Sequence, residues 1–231
     1  MRKLVLGGMI LLLLACTGAA SAVTNLAKNG GFEEPQLGAD TGYVECPVGI
    51  VDNWVIGGAG IDHIRTYWDP SEGIQSIDLS RRGRGNISQE IPTTAGRSYT
   101  LSFDIAGNPD YGLYEKLLLV HWGDQEPYGP FAFTPSGYPV IGSQGWVTIT
   151  LPGLPGYEST TRLTFEDVST PSSPCGVALD NIVVTLDETG SEVVGSDAVV
   201  PVPEFPSLAL PAGLIIGIIG SVVYIRNTRE Q

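Results

Sequence analysis

The chain has 231 residues, with 25 Asp and Glu against 12 Lys and Arg, a formal net charge of −13, 30 glycines and 17 prolines. That length holds one mid-sized domain plus sorting segments at its ends, and the acidic balance repels a phosphate backbone, which excludes nucleic acid as a partner. So much glycine and proline interrupts helices and leaves an all-β fold.

At the amino end, Met1-Arg2-Lys3 is a short positive start, Leu4 to Ala15 is apolar, and Ala20-Ser21-Ala22 supplies the small residues a signal peptidase needs. Residues 1–22 therefore read as a secretory signal peptide. A second reading stays open, because Leu13-Leu14-Ala15-Cys16 resembles a lipobox, which would cut before Cys16 and lipidate it.

Residues 23–186 carry short alternating runs broken by Gly, Pro, Asn and Asp. The first strands expected are Trp54 to Ile56, Ile61 to Ile64, Ser76 to Leu79 and Ile87 to Ile91. Ser98 to Ile105 puts Tyr99, Leu101, Phe103 and Ile105 on one face, with Ser, Thr and Asp on the other. In Lys116 to Trp122 the apolar run Leu117 to Val120 predicts burial on both sides. Trp146 to Leu151, Arg162 to Glu166 and the β-branched Val177 to Thr185 complete the set. Many short strands with hardly a helix make a β-sandwich. Trp54, Phe103, Trp146 and Phe165 belong to its core, and Arg81-Arg82-Gly83-Arg84 reads as a solvated loop.

Residues 187–202 are acidic and rich in small residues, as in a flexible linker. Residues 208–225 hold no charged side chain and would reach about 27 Å as a helix, enough to span a bilayer. Arg226 and Arg229 follow and favour the cytoplasmic side, so the domain would lie outside the cell and the C-terminus inside before processing. Pro203-Glu204-Phe205, the span and the basic end, in that order across residues 203–231, resemble the archaeal PEF-CTERM sorting signal. That resemblance implies the membrane and a processing archaeosortase as partners; the other reading is a plain single-span anchor.

Within the domain, Asn25-Leu26, Asn29-Gly30-Gly31-Phe32-Glu33, Trp54 to Gly58, Ser76 to Leu79, Ile87-Ser88-Gln89, Gly96 to Pro109 and Leu179-Asp180-Asn181-Ile182 fall in order. Together they resemble the choice-of-anchor C family, which belongs with the galactose-binding-like jelly rolls. The resemblance implies a jelly-roll β-sandwich, carbohydrate binding as the commonest role, and a structural calcium ion where the first and last strands meet. Glu33 and Asp180 would be its carboxylates, helped by oxygens near Asn29; otherwise Asp180 and Asn181 cap a strand or bond a nearby loop.

For catalysis the sequence offers little. His63 and His121 are the only histidines and have no zinc spacing, and no G-x-S-x-G elbow is present. No pair of carboxylates is singled out as a glycosidase would need, so the chain reads as a non-enzyme with no catalytic cofactor. A sugar site needs an aromatic platform flanked by amides and carboxylates. Two loops have that mixture: one with Asp110, Tyr111 and Tyr114, the other with Trp122, Asp124 and Tyr128. With Cys16 removed or lipidated, Cys46 and Cys175 form an even extracellular pair, and one disulfide is expected. It would contribute about 4–5 kcal/mol in the chain-entropy account. Two buried free thiols are the alternative. Asn86-Ile87-Ser88 is a glycosylation sequon. The sequence thus points to a surface-displayed jelly roll that binds glycan or envelope polysaccharide; a structural or adhesive surface protein is the rival, and a polysaccharide hydrolase the third reading.

Overall fold

The computed structural model describes residues 24–110, 112–135, 142 and 144–187. The expected signal peptide, Cys16, the linker from residue 188 on, the motif Pro203-Glu204-Phe205, the span 208–225 and Tyr111 lie outside the described residues. Among the described residues no helix is long and apolar enough to cross a membrane.

The described residues form twelve strands in chain order: β1 Tyr43–Cys46, β2 Gly49–Val51, β3 Trp54–Gly58, β4 Ile61–Ile64, β5 Ser76–Asp78, β6 Gly85–Pro92, β7 Ser98–Gly107, β8 Lys116–Trp122, β9 Tyr128–Phe133, β10 Val147–Pro155, β11 Thr160–Asp167 and β12 Val177–Leu186. They form two six-stranded sheets, ordered β1-β4-β5-β12-β7-β10 and β2-β3-β6-β11-β8-β9. Every strand pair is antiparallel. The fold is a jelly-roll β-sandwich, as expected.

The core lies between the sheets because alternate side chains of each strand turn inward. Tyr99, Leu101, Phe103 and Ile105 of β7 are buried as their alternation predicts. Phe165 of β11 meets Phe103 edge-on at 5.0 Å, and Trp54 of β3 packs on Phe165 at 6.3 Å. Two expectations need correction. In β8 only Lys116, Leu118, Val120 and Trp122 are buried, while Leu117, Leu119 and His121 are half-buried, because one face of that sheet looks outward. Trp146 is not in this core; it is partly buried on the outer face of the first sheet, beside Ile64, Trp68, Ala106 and Ala178.

A bulge in β12 between Asp180 and Val183 reverses the alternation, with Asn181 at φ 49°. Val177 and Leu179 face inward before it, Ile182 and Val184 after it. The segment before β1 is laced to that stretch. Leu26 donates to Val184, Ile182 donates to Gly30, and Asn25 both donates to Ile182 and accepts from Val184. A Cβ on Gly30 would sit 2.0 Å from the Ile182 carbonyl oxygen, so only glycine fits. The opening and closing motifs of the domain therefore meet, through backbone hydrogen bonds and the Asn25 side chain.

Candidate functional site

On the outer face of the first sheet, β1, β4 and β5 place Glu45, Asp62 and Asp78 side by side in register. The next partner is Ala178 of β12. A hollow lies beside these strands. It is a cavity of about 290 Å³, walled by Tyr43 and Glu45 of β1, Asp62 and Ile64 of β4, and Tyr67 of the loop that follows. Arg81 and Arg82 close it from the β5–β6 turn, Asn108 and Asp110 from the end of β7, and Pro174 and Cys175 from the approach to β12.

The three ladder carboxyls have different surroundings. Asp78 is fully buried; it accepts from the Ser80 and Gly176 amides at 2.9 and 3.0 Å and from Asn108 Nδ2 at 2.8 Å. Burial holds it well above the usual carboxylate range despite those donors. Glu45 Oε2 receives Arg81 at 2.8 Å and Arg82 at 3.0 Å. Partial desolvation works to raise its pKa, but the two arginines, Arg82 foremost, outweigh this and hold it low. Asp62, between them, is 9% exposed and its Oδ1 has no hydrogen-bond partner among the described residues. Burial first and the Glu45 charge second push it up to about 7, against the pull of Arg81 and Arg82.

Tyr67 forms the opposite wall. Its hydroxyl donates to Asp110 Oδ2, which, with burial second, pushes the phenol above its usual range. Its ring meets Tyr43 edge-on at 5.5 Å and leans on Trp68 at 5.7 Å. Tyr43 is 47% exposed and offers its ring to the solvent side.

The β4–β5 loop that carries Tyr67 is lashed down by residues expected to bind calcium. Asp180 accepts from the Ser71, Glu72 and Asn181 amides at 2.8, 3.0 and 2.7 Å. Glu33 Oε1 accepts from the Ile74 and Gln75 amides. The Asn29 carbonyl takes the Trp54 indole N–H, and its side chain is bonded to Glu34 and Asp52. Asp180 thus bonds a nearby loop, and no group of three or more His, Cys, Asp or Glu is gathered among the described residues. Burial pushes Asp180 up to about 7, opposed by those amides.

Of the expected sugar-binding residues, Asp110 lines the cavity. Tyr114 is exposed on the same β7–β8 connection. Trp122 does not bind at a surface: it is fully buried, its indole donating to the Pro155 carbonyl at 2.8 Å. Tyr128 packs partly on the core and bonds Gln125, while Asp124 is exposed in the β8–β9 turn. The two loops lie at opposite ends of β8, about 20 Å apart at ~3.3 Å per residue, so they cannot form one site. Asn86 sits on the outer face of the second sheet, close over Gly57.

The disulfide is absent: Cys46 and Cys175 are both free. Cys46 packs toward the inter-sheet core, Cys175 toward the outer cavity. Cys46 is on β1, and Cys175 lies just before β12, which two other strands separate from β1; at ~4.8 Å per strand that is about 14 Å between β1 and β12, beyond the ~7 Å Cα reach of a disulfide. Burial raises both thiols, Cys175 to about 12. Arg81 and Arg82 are likewise not merely solvated, since both grip Glu45, and Arg84 bonds Ser169 and Thr170. Sequence reasoning missed Tyr43, Glu45, Asp62 and Tyr67. It also missed Lys116, whose buried Nζ donates to the Cys175 carbonyl at 2.7 Å and fixes that wall.

Against known proteins, residues 25–185 match the family described as "Protein of unknown function (DUF642)". The chain belongs to the DUF642 family. Halomucin of Haloquadratum walsbyi is 26% identical over 178 residues, which is 74% of this chain but 2% of that protein. Among solved structures, TmCBM61 in complex with β-1,4-galactotriose is similar at TM-score 0.47 and 15% identity, over 71% of this chain and 99% of that one. The Stig cyclase Fisc from Fischerella sp. TAU is similar at TM-score 0.47 and 20% identity, over 72% and 98%.

Proposed function

We propose that this DUF642 domain binds carbohydrate, without transforming it, in the cavity over β1, β4 and β5. The carrying observation is the lining itself: an exposed Tyr43 ring beside Tyr67, with carboxyl, amide and guanidinium groups converging on about 290 Å³. A sugar ring lays its C–H face on an aromatic and offers hydroxyls to carboxyls and amides. The volume is at the small end of the usual range for ligand pockets, roughly 300–1,000 Å³, and suits a chain terminus or short saccharide.

The same proposal places the domain outside the cell, held by residues 203–231 and processed by an archaeosortase-type enzyme. Mass spectrometry of the mature protein from its host tests that part; full-length, uncut polypeptide in the cytosol would overturn it. Calorimetric titration of the full chain with a panel of soluble oligosaccharides tests the binding. Saturable binding to some of them is expected, weakened about tenfold or more by Tyr67→Ala through loss of the stacking wall. No binding across the panel, or binding untouched by Tyr67→Ala, would refute the site.

A further inference from the structure

We propose that Asn86 is a glycosylation site, its side-chain amide carrying an oligosaccharide that rises from the outer face of the second sheet. The proposal rests on the export reading above and concerns a different face of the molecule from the cavity. Asn86-Ile87-Ser88 is an acceptor sequence in any exported chain, but such a triplet alone also arises by chance. What sets it apart is how the asparagines are used. Six fall among the described residues. The side chains of Asn25, Asn29, Asn53, Asn108 and Asn181 all bond neighbours within 3.2 Å. Asn86 alone among the six makes no side-chain hydrogen bond, and neither of its amide atoms is sealed from solvent. An amide that builds structure spends its donors and its carbonyl on neighbours. This one ties nothing together and keeps its nitrogen open.

Its surroundings leave room for what would be attached. Asn86 stands between Gly57 of β3 and Glu166 of β11 in register. Glu166 turns away to His121, at 2.9 Å. A Cβ at Gly57 would lie 2.4 Å from the Asn86 Oδ1, so the amide rests over a strand that raises no side chain there. Gly58 pairs with Gly85 next along the same two strands, and Val55, two residues back from Gly57, is 47% exposed. A sugar linked to Nδ2 therefore meets backbone and one bare apolar side chain. It points away from the first sheet, whose outer face holds the cavity.

The sugar comes from a lipid-phosphate-linked oligosaccharide. Asn86 Nδ2 forms a bond to C1 of the first sugar as the C1–O bond to phosphate breaks. The lipid phosphate leaves with that electron pair, and the amide proton passes to a base of the transferring enzyme. The folded chain is a poor acceptor for this step. β6 is paired on both sides, and Ser88 is 4% exposed and accepts from Arg162 at 2.9 Å. An enzyme that reads Asn and Ser together must reach both, so the sugar is added before β6 pairs.

The test is tryptic mass spectrometry of the protein recovered from its host. Cleavage after Arg84 and Arg97 isolates residues 85–97, in which Asn86 is the one asparagine. That peptide should be heavier by an oligosaccharide, with fragment ions placing the added mass on Asn86. Asn86→Gln and Ser88→Ala should each leave it bare, while Ser88→Thr, which keeps the acceptor sequence, should keep the sugar. A bare peptide in unaltered protein recovered outside the cell, or sugar retained in Ser88→Ala, overturns the modification while export and carbohydrate binding stand. A bare peptide in chain confined to the cytosol overturns the modification and the export reading together. Chain folded without the sugar and then mixed with host membranes should stay bare; its modification there overturns the order of events.

Discussion

Three acids in one cross-strand row show how little residue type decides by itself. Glu45 is held ionised at the rim, Asp78 is locked into a buried amide cage, and Asp62 is left with a raised pKa and an unused acceptor. The unfolded chain gives Asp62 an ordinary value near 4, while the folded state holds its proton to about 7. Its contribution to stability is therefore complete below pH 4 and is lost as pH rises through 7. Asp62→Asn removes that loss. Denaturation at pH 4 and pH 8 should show the unaltered protein losing on the order of 3 kcal/mol relative to the variant over that interval. A difference that does not change with pH would show that burial does not hold the proton. None of this could be read from the sequence, where Asp62 stands in Ile-Asp-His-Ile as one acid among 25 acidic residues. Its ladder partners Glu45 and Asp78 lie 17 and 16 positions away and meet it only through strand pairing.

At the scale of elements, legibility followed alternation. β7 and β12 are long, regularly patterned strands, and their buried faces were evident from period two; even so, the bulge at Asn181 that turns β12 over left no mark on the pattern. β1, β2 and β9 were not foreseen. β1 and β9 lie at sheet edges, are largely exposed, and carry charge, Pro or Gly where apolar alternation would be the signal. β1 was the costly omission, since it supplies Tyr43 and Glu45. It also decides the cysteines. Once Cys46 is on an edge strand facing inward and Cys175 on the outer side beyond two strands, no bridge can form. Reductant should leave the melting temperature unchanged within about 1 °C, since no cross-link constrains the unfolded chain. Alkylation after denaturation should find both thiols free, and slow alkylation of the native protein should accompany the raised thiol pKa values. A mass two protons short, or a fall in melting temperature on reduction, would contradict this strand order.

Over the whole molecule, the sandwich separates what the sequence placed near together. Asp110 and Asp124 are only 14 residues apart in similar loops of mixed aromatic and polar character. β8 runs between them and carries them to opposite ends. Only the Asp110 end has the ladder of acids, the clasped arginines and the tethered β4–β5 loop; the Asp124 end is closed by core packing of Trp122 and Tyr128. The proposed binding surface therefore lies at one end. Asp110→Ala removes both a cavity carboxylate and the acceptor that orients Tyr67, and should weaken saccharide binding about tenfold or more. Asp124→Ala touches neither and should leave affinity within about twofold, because exposed substitutions far from a site change little. Equal losses from the two variants would mean that ligand spans the sandwich along β8, which a pocket of this size does not allow.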